Sequence, residues 1–332
     1  MLRTSIEMRK ALLALGAAQL AFYCLLAIPG SAGAVLAVPI TACGTLSVPR
    51  GVYQLTADIT ATSGGDCITI AAPFVSLDLN GHNITGIGSG IGIHVLGGAP
   101  DALISTPSST VSGFQTGIQF DPMAHRGFIG TNVFVFNDST GIEIDGANNV
   151  DGAAVLATGS AFGLHASNSN GDSFAAAAFG PAFPGPPAAA TGVELDGSSA
   201  SFSSTSIEGT EVGLHLVTSS NTVLYVGTTP FIDGPGGTAL WLERSTDNIF
   251  AGFAAEGGSG GVAIKLSKAS LRNLFASGVV VTPEIIVDAG SSQNRILGTA
   301  AGTDQAVDLN RTCDQNVWFD NNFISVNQPC IQ

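Results

Sequence analysis

Charge is scarce in this chain. Charged residues fill 11% of its 332 positions, against roughly a quarter in ordinary soluble domains. Most of the surface must therefore be wetted by Ser, Thr, Asn and backbone. Basic residues are scarcest, with 11 Lys and Arg against 25 Asp and Glu. Nucleic acid and anionic membrane both call for clustered Lys and Arg, so neither is expected as a partner, and strongly acidic polysaccharides are disfavoured on the same ground. What the chain has in quantity is glycine, 43 residues, which suits a backbone that turns often.

Residues 1–10 carry net positive charge, Ala11 to Ile28 are almost wholly apolar, and Pro29-Gly30-Ser31 breaks the run before a stretch of small residues. That layout is the one of a secretory signal, here spanning 1–34 with cleavage as late as 37. The apolar run is just long enough to cross a membrane, so an uncleaved N-terminal anchor stays open as the alternative. Without the leader, 8 basic residues face 24 acidic ones. The expected location is extracellular or periplasmic, with no membrane contact after cleavage.

The remainder is written around one short phrase, clearest at Gly141-Ile142-Glu143-Ile144-Asp145 and repeated at Gly117, Gly192, Gly213 and Ala263. Small, aliphatic, polar, apolar, polar is a strand pattern of period 2 with one buried and one wet face. Copies begin at 92, 117, 141, 163, 192, 213, 239, 263, 284 and 306, a period of about 24. One strand phrase per repeat of that length predicts an all-β solenoid of about ten to twelve coils. Its parts are expected to be an N-terminal cap and first coils over 35–91, coils over 92–312 and a C-terminal cap over 313–332. The Ala/Pro-rich segment 172–190 reads as a loop leaving the coil, because its four prolines and two glycines oppose a helix.

Past the leader the cysteines are Cys43, Cys67, Cys313 and Cys330. An even number in an exported chain reads as disulfides. A rod of such coils stacked at ~4.8 Å keeps its ends tens of Å apart, which pairs Cys43 with Cys67 and Cys313 with Cys330, one bridge at each end. Neither pair has the close spacing of zinc ligands. A second ladder is expected from Thr218-x-x-Asn221 through Ser245-x-x-Asn248, Ser270-x-x-Asn273 and Ser291-x-x-Asn294 to Asn316. Asn accepts left-handed turn geometry, and its amide can bond to the amide one coil away.

The stretch Leu77-Asp78-Leu79-Asn80-Gly81-His82-Asn83-Ile84-Thr85-Gly86, with Cys67-Ile68-Thr69-Ile70 before it and Gly90-Ile91-Gly92-Ile93 after it, resembles exported bacterial right-handed parallel β-helix repeat proteins of the pectin-lyase-like superfamily. The resemblance covers nearly everything after the leader and implies that fold. It does not imply one function, since the superfamily holds lyases, hydrolases, epimerases and adhesins. The Asn-Thr-Asp, Asp-Asp, Gly-His-Gly and Arg-Ile-Lys signatures of polygalacturonase-like members are not matched. Gly81-His82-Asn83 departs from the third, and no Asp-Asp pair occurs.

Chemistry is confined to the polar slots of the phrase. Stacked, the middle slot reads His94, Gln119, Glu143, His165, Glu194, His215, Trp241, Lys265; two residues later come Asp121, Asp145, Ser167, Asp196, Val217, Glu243, Ser267, Asp288. Alternating acid and imidazole is what a stable wet sheet would select by itself. The same alternation also permits function. Glu143 and Glu194, two coils apart, stand near the upper edge of an inverting glycosidase's carboxyl separation and would serve as acid and base. His165 and His215 would modulate them or bind a cation, while Asp145 and Asp196 line the substrate and Trp241 offers a flat face. Asp121 and Asp145 are the candidate place for a calcium ion; otherwise no cofactor is implied. Two readings follow: an exported glycan-interacting or structural protein, or a carbohydrate-active enzyme on a neutral or weakly charged polysaccharide.

Overall fold

The computed structural model describes residues 36–331, apart from 181–188, 226, 233–236, 259, 282–283 and 302–304. The proposed leader, 1–34, lies outside them, as does the centre of the Ala/Pro-rich segment. Residues from Ala37 onward form one unit. Its strands pair in parallel along three faces of a right-handed β-helix of about eleven turns. Right-handed crossover is the sense that the twist of strands favours. The only helical element among the described residues is a short 3-10 turn at Arg311–Gln315.

Each coil visits the faces in the same order. The first sheet carries the phrase, from Gly44–Leu46 through Ile91–Val95 to Ser325–Val326. A turn leads to the second sheet, thirteen short strands from Val38–Ile40 to Val317–Phe319. A second turn reaches the third sheet, which begins at Ile59–Thr60. Val133–Asp145 and Leu156–Ser167 run unbroken round the corner from third sheet to first. In the former, register shifts around Asp138 make the bend.

Alternation sorts the first sheet as the phrase requires. Ile118, Ile142, Leu164, Val193, Leu214, Leu240 and Ile264 stack inward, all fully buried. The opening residue of the phrase is small for a steric reason. It sits where the third sheet turns into the first, and a Cβ on Gly141 would lie 2.6 Å from the carbonyl oxygen of Gly163. The second sheet contributes an aromatic column inward, with Phe174 stacked on Phe202 (5.9 Å) and Phe250 on Phe275 (4.8 Å). Asp138 is buried at the bent corner. Loss of water pushes its carboxyl up to about 8, so it is protonated at neutral pH.

Three expectations need correcting. Residues 172–179 do not leave the coil. Asn170–Ala175 and Ala178–Phe179 are strands of the second and third sheets, because Phe174 and Phe179 are large enough to be worth burying and pack edge to face at 5.1 Å. The Asn ladder begins one position later than the spacing suggested. Ser219, not Thr218, aligns with Ser245, so Thr222 takes the first slot and Asn221 is exposed in the left-handed turn position before it (φ 59°). Finally, the last copy of the phrase starts at Gln305, which pairs with Glu284, and not at Ala306. A one-residue shift reverses every side chain, and it turns Asp308 into the interior, where it is fully buried.

The ladder proper runs from Asn248 to Asn273, Asn294 and Asn316, with amide-to-amide bonds of 2.9, 3.0 and 3.1 Å. A file of serine hydroxyls at 219, 245, 270 and 291 runs beside it, each accepting from the backbone N–H of the preceding coil. Disulfides Cys43–Cys67 and Cys313–Cys330 close the two ends.

Candidate functional site

The register of the first sheet sets Gln119 beside His94 and Glu143, and then Glu143, His165, Glu194, His215, Trp241 and Lys265 in consecutive coils. This file stands on the outer face of the sheet, half-buried by its own neighbours. His165 bridges two carboxylates, with Nδ1 at 2.8 Å from Glu143 Oε1 and Nε2 at 3.7 Å from Glu194 Oε1. The other oxygen of Glu194 lies 2.8 Å from His215 Nδ1. His215 in turn stacks on the Trp241 indole at 4.6 Å, and Lys265 Nζ sits 4.9 Å from the centre of that ring. A shorter group at the N-terminal end places His94 between Asp66 (2.6 Å) and Asp121 (2.9 Å).

Electrostatics follow from these contacts. The hydrogen bond to Glu143 raises the His165 pKa against the opposing effect of burial, aided by the negative charge of Glu143 and Glu194. Glu194 is held below the usual carboxylate range, first by its hydrogen bond to His215. For His94 burial works downward, but contacts with Asp121 and Asp66 outweigh it and the pKa is raised. General acid catalysis by a carboxyl needs a raised pKa. Glu194 is held down and His165 is held up, so in this file it is the imidazole whose proton affinity is raised. Between Glu143 and Glu194, the pair proposed from the sequence as acid and base, stands the His165 imidazole, in contact with both.

These shifts set a pH dependence. His165 and His94, with folded pKa values above their unfolded ones, contribute stability that is complete below the unfolded histidine value of ~6.5 and is lost as pH rises through the folded values. Glu194 contributes stability above the unfolded glutamate value of ~4.3, lost as pH falls through its folded value. Urea unfolding across pH is expected to show stability declining on the alkaline side of ~6.5, with a shallower decline in His165→Gln. An unchanged slope in that variant would show that the imidazole is not held as described.

The other expected site residues are placed as follows. Asp145 accepts from Ser167 Oγ at 3.0 Å and Asp196 from Thr218 Oγ1 at 3.1 Å, both along the edge of the file. Asp121 receives Gln119 Nε2 at 2.9 Å as well as facing His94. Asp121 and Asp145 are thus each engaged by other side chains, and among the described residues no three His, Cys, Asp or Glu gather as a metal centre would require. Trp241 does not present the flat face expected of it. Its neighbours in the file are His215 on one side and Lys265 on the other, so both faces are covered, and its Nε1–H is donated to Ser267 Oγ at 2.8 Å. Glu243, in the second slot, is buried and neutralised by Arg244 (3.0 Å) and Lys268 (2.8 Å).

Two participants escaped the sequence reading. Phe162 stacks on the His165 ring at 4.9 Å. It precedes Gly163, where alternation would assign it to the inward side with Leu164, so the phrase gave no sign that its ring lies beside His165. Asp66, the partner of His94, lies in a turn before the strand, where period-2 alternation carries no information.

No protein-family model matches the chain, and no curated protein matches it either. Among solved structures, the Dettilon tailspike protein (gp208) superposes with a TM-score of 0.61 at 13% identity, covering 88% of this chain and 61% of the tailspike. The chain thus spans about three fifths of the tailspike's length. The A-module of mannuronan C-5 epimerase AlgE4 from Azotobacter vinelandii gives 0.46 at 15% identity, covering 87% of this chain and 89% of the module. Such likeness is one of fold. The chain is a right-handed parallel β-helix, the architecture of pectin-lyase-like proteins.

Proposed function

We propose that this is an exported, glycan-interacting β-helix protein whose contact strip is the outer face of the first sheet from Glu143 to Lys265. The supporting observation is the state of that strip. Four acidic and imidazole side chains are fixed by one another in a line, and the Nε2 of His215 is buried with no hydrogen-bond partner among the described residues. Such an orphan costs about 1–3 kcal/mol, recoverable by a ligand hydroxyl once binding parts the side chains that cover it. Side chains already fixed lose little freedom on binding, and the file offers both donors and acceptors to hydroxyl groups. The acidity of the chain favours a neutral or weakly charged glycan over a polyuronate. Residues 1–34, if they are the signal they resemble, deliver it outside the cytoplasm.

A second reading has its own support in the opposed shifts of His165 and Glu194, a potential acid and base in adjacent coils. This would be an enzyme on the same class of polysaccharide. A glycan array paired with a reducing-sugar assay separates the two. Retention of a neutral glycan without release of reducing ends is expected, weakened about tenfold, or ~1.4 kcal/mol, in Glu194→Gln. No retained glycan of any kind would sink the binding reading. Release by the wild type that disappears in both His165→Gln and Glu194→Gln would replace it with the enzyme.

A further inference from the structure

The outer face of the second sheet is a different kind of surface. One outward column reads Asp151, Ser173, Ser201, Val223, Ile249, Leu274, Arg295 in consecutive coils. The neighbouring column contains Ala153, Ala175, Ser203, then Tyr225, and then Ala251, Ala276, Leu297, Phe319. These two columns carry two charges only, Asp151 and Arg295; the Asp247–Arg272 ion pair lies in the turn that leads into them. Large apolar side chains stand in water on it: Tyr225 is 43% exposed, Ile249 42% and Phe319 63%. A chain with so many acids elsewhere has its least repulsive surface here.

The order along these columns has a symmetry. Asp151 lies three coils before Val223 and Arg295 three coils after it. A two-fold axis lying in the interface along the strand direction, through the Val223–Tyr225 row, keeps each column over itself and reverses the order of coils. Asp151 then faces the partner's Arg295, and Arg295 faces the partner's Asp151. Size matches as well as charge: Ile249 meets the partner's Ser201, Leu274 the partner's Ser173, and Leu297 the partner's Ala153. Within one chain neither charge is answered. Arg295 makes no ion pair among the described residues, and burial pushes the Asp151 carboxyl up to about 6 with no cation beside it.

The geometry points to a homodimer formed by antiparallel, face-to-face packing of the second sheets of two copies about the Val223–Tyr225 row, closed by two Asp151–Arg295 ion pairs. Self-complementarity of one patch is what a two-fold interface demands. A strip about eight coils long at ~4.8 Å per coil, and about 10 Å wide, buries a few hundred Å² per copy, near the weak end of specific interfaces.

Sedimentation equilibrium of the exported chain is expected to show a monomer–dimer equilibrium with a dissociation constant of about 10 µM or weaker. Asp151→Arg alone and Arg295→Asp alone each set like charges across the axis and should weaken it by about tenfold or more. Mixing the D151R and R295D proteins restores opposite charges at both contacts, and the heterodimer should re-form with near wild-type strength. Tyr225→Cys, which leaves the ion pairs alone, should give a disulfide-linked dimer under oxidising conditions, since residue 225 faces its own copy. A wild type that stays monomeric at high concentration, a mixture no better than its components, or a Tyr225→Cys protein that does not cross-link would each overturn the proposal.

Discussion

Asn273→Ala is expected to lower the unfolding free energy by about 4 kcal/mol, among the largest losses available from one polar side chain here. Asn273 is fully buried, and its amide makes four bonds. Its oxygen accepts from the backbone N–H of Asn248 at 3.1 Å and from Asn248 Nδ2 at 2.9 Å. Its nitrogen donates to the Ser245 carbonyl and to Asn294 Oδ1, both at 3.0 Å. Truncation strands two donors on Asn248, while the Ser245 carbonyl keeps its bond from the Leu271 backbone N–H, and each buried orphan costs about 1–3 kcal/mol less whatever water can recover. The comparison is Asn221→Gly, at an exposed left-handed turn position that glycine adopts freely; it should shift stability by less than about 0.5 kcal/mol. Urea unfolding followed by circular dichroism measures both. Equal effects at the two positions would refute the register of the ladder.

The second large effect belongs to Asp308. Its carboxylate is fully buried and has no ion-pair partner among the described residues, yet it is held by four donors. Oδ1 accepts from the backbone N–H (3.0 Å) and the side-chain Nδ2 (2.8 Å) of Asn310, and Oδ2 from Asn316 Nδ2 (3.0 Å) and Trp318 Nε1 (3.2 Å). The last amide of the ladder and the last inward aromatic of the second sheet therefore end on one side chain. Asp308→Ala strands the Asn310 backbone N–H, one Nδ2–H of Asn316 and the Trp318 indole N–H, while Asn310 Nδ2 keeps the Ser291 carbonyl, and it should cost about 4 kcal/mol or more. The loss should be local, because coils in a solenoid depend on their neighbours alone. Fluorescence of Trp318, one of two tryptophans in the chain, is expected to report unfolding of the C-terminal coils at lower urea than circular dichroism does. Coincident transitions would contradict this.

How much of this was visible beforehand depended on whether periodicity carried the information. The parallel stack and the file from Glu143 to Lys265 follow from alternation within the phrase and from its spacing, because a sheet lines up equivalent positions. Asn221 misled for a physical reason: asparagine suits the left-handed turn as well as it suits the ladder, and only the three-dimensional register separates the two. Asp308 was hidden by the shift of one residue at Gln305, which no pattern of polar and apolar residues announced. Trp241 read as a sugar platform because sequence reports a residue's chemistry and not what covers its faces. The His–Glu contacts of the file were implied by adjacency, but which nitrogen meets which oxygen, and so the direction of each pKa shift, came only from geometry.

The ladder also shows where this architecture keeps its measure. Successive ladder amides are 25, 21 and 22 residues apart, yet they meet at nearly one distance, and each but the last has its serine three positions ahead, Cys313 standing in that place before Asn316. Variation in length is absorbed elsewhere in the coil, while Ser-x-x-Asn acts as a ruler that resets the chain once per turn. A protein built this way can gain or lose residues between rulers, or whole coils, without losing alignment; a single residue gained inside the ruler would throw the rest of the coil out of step.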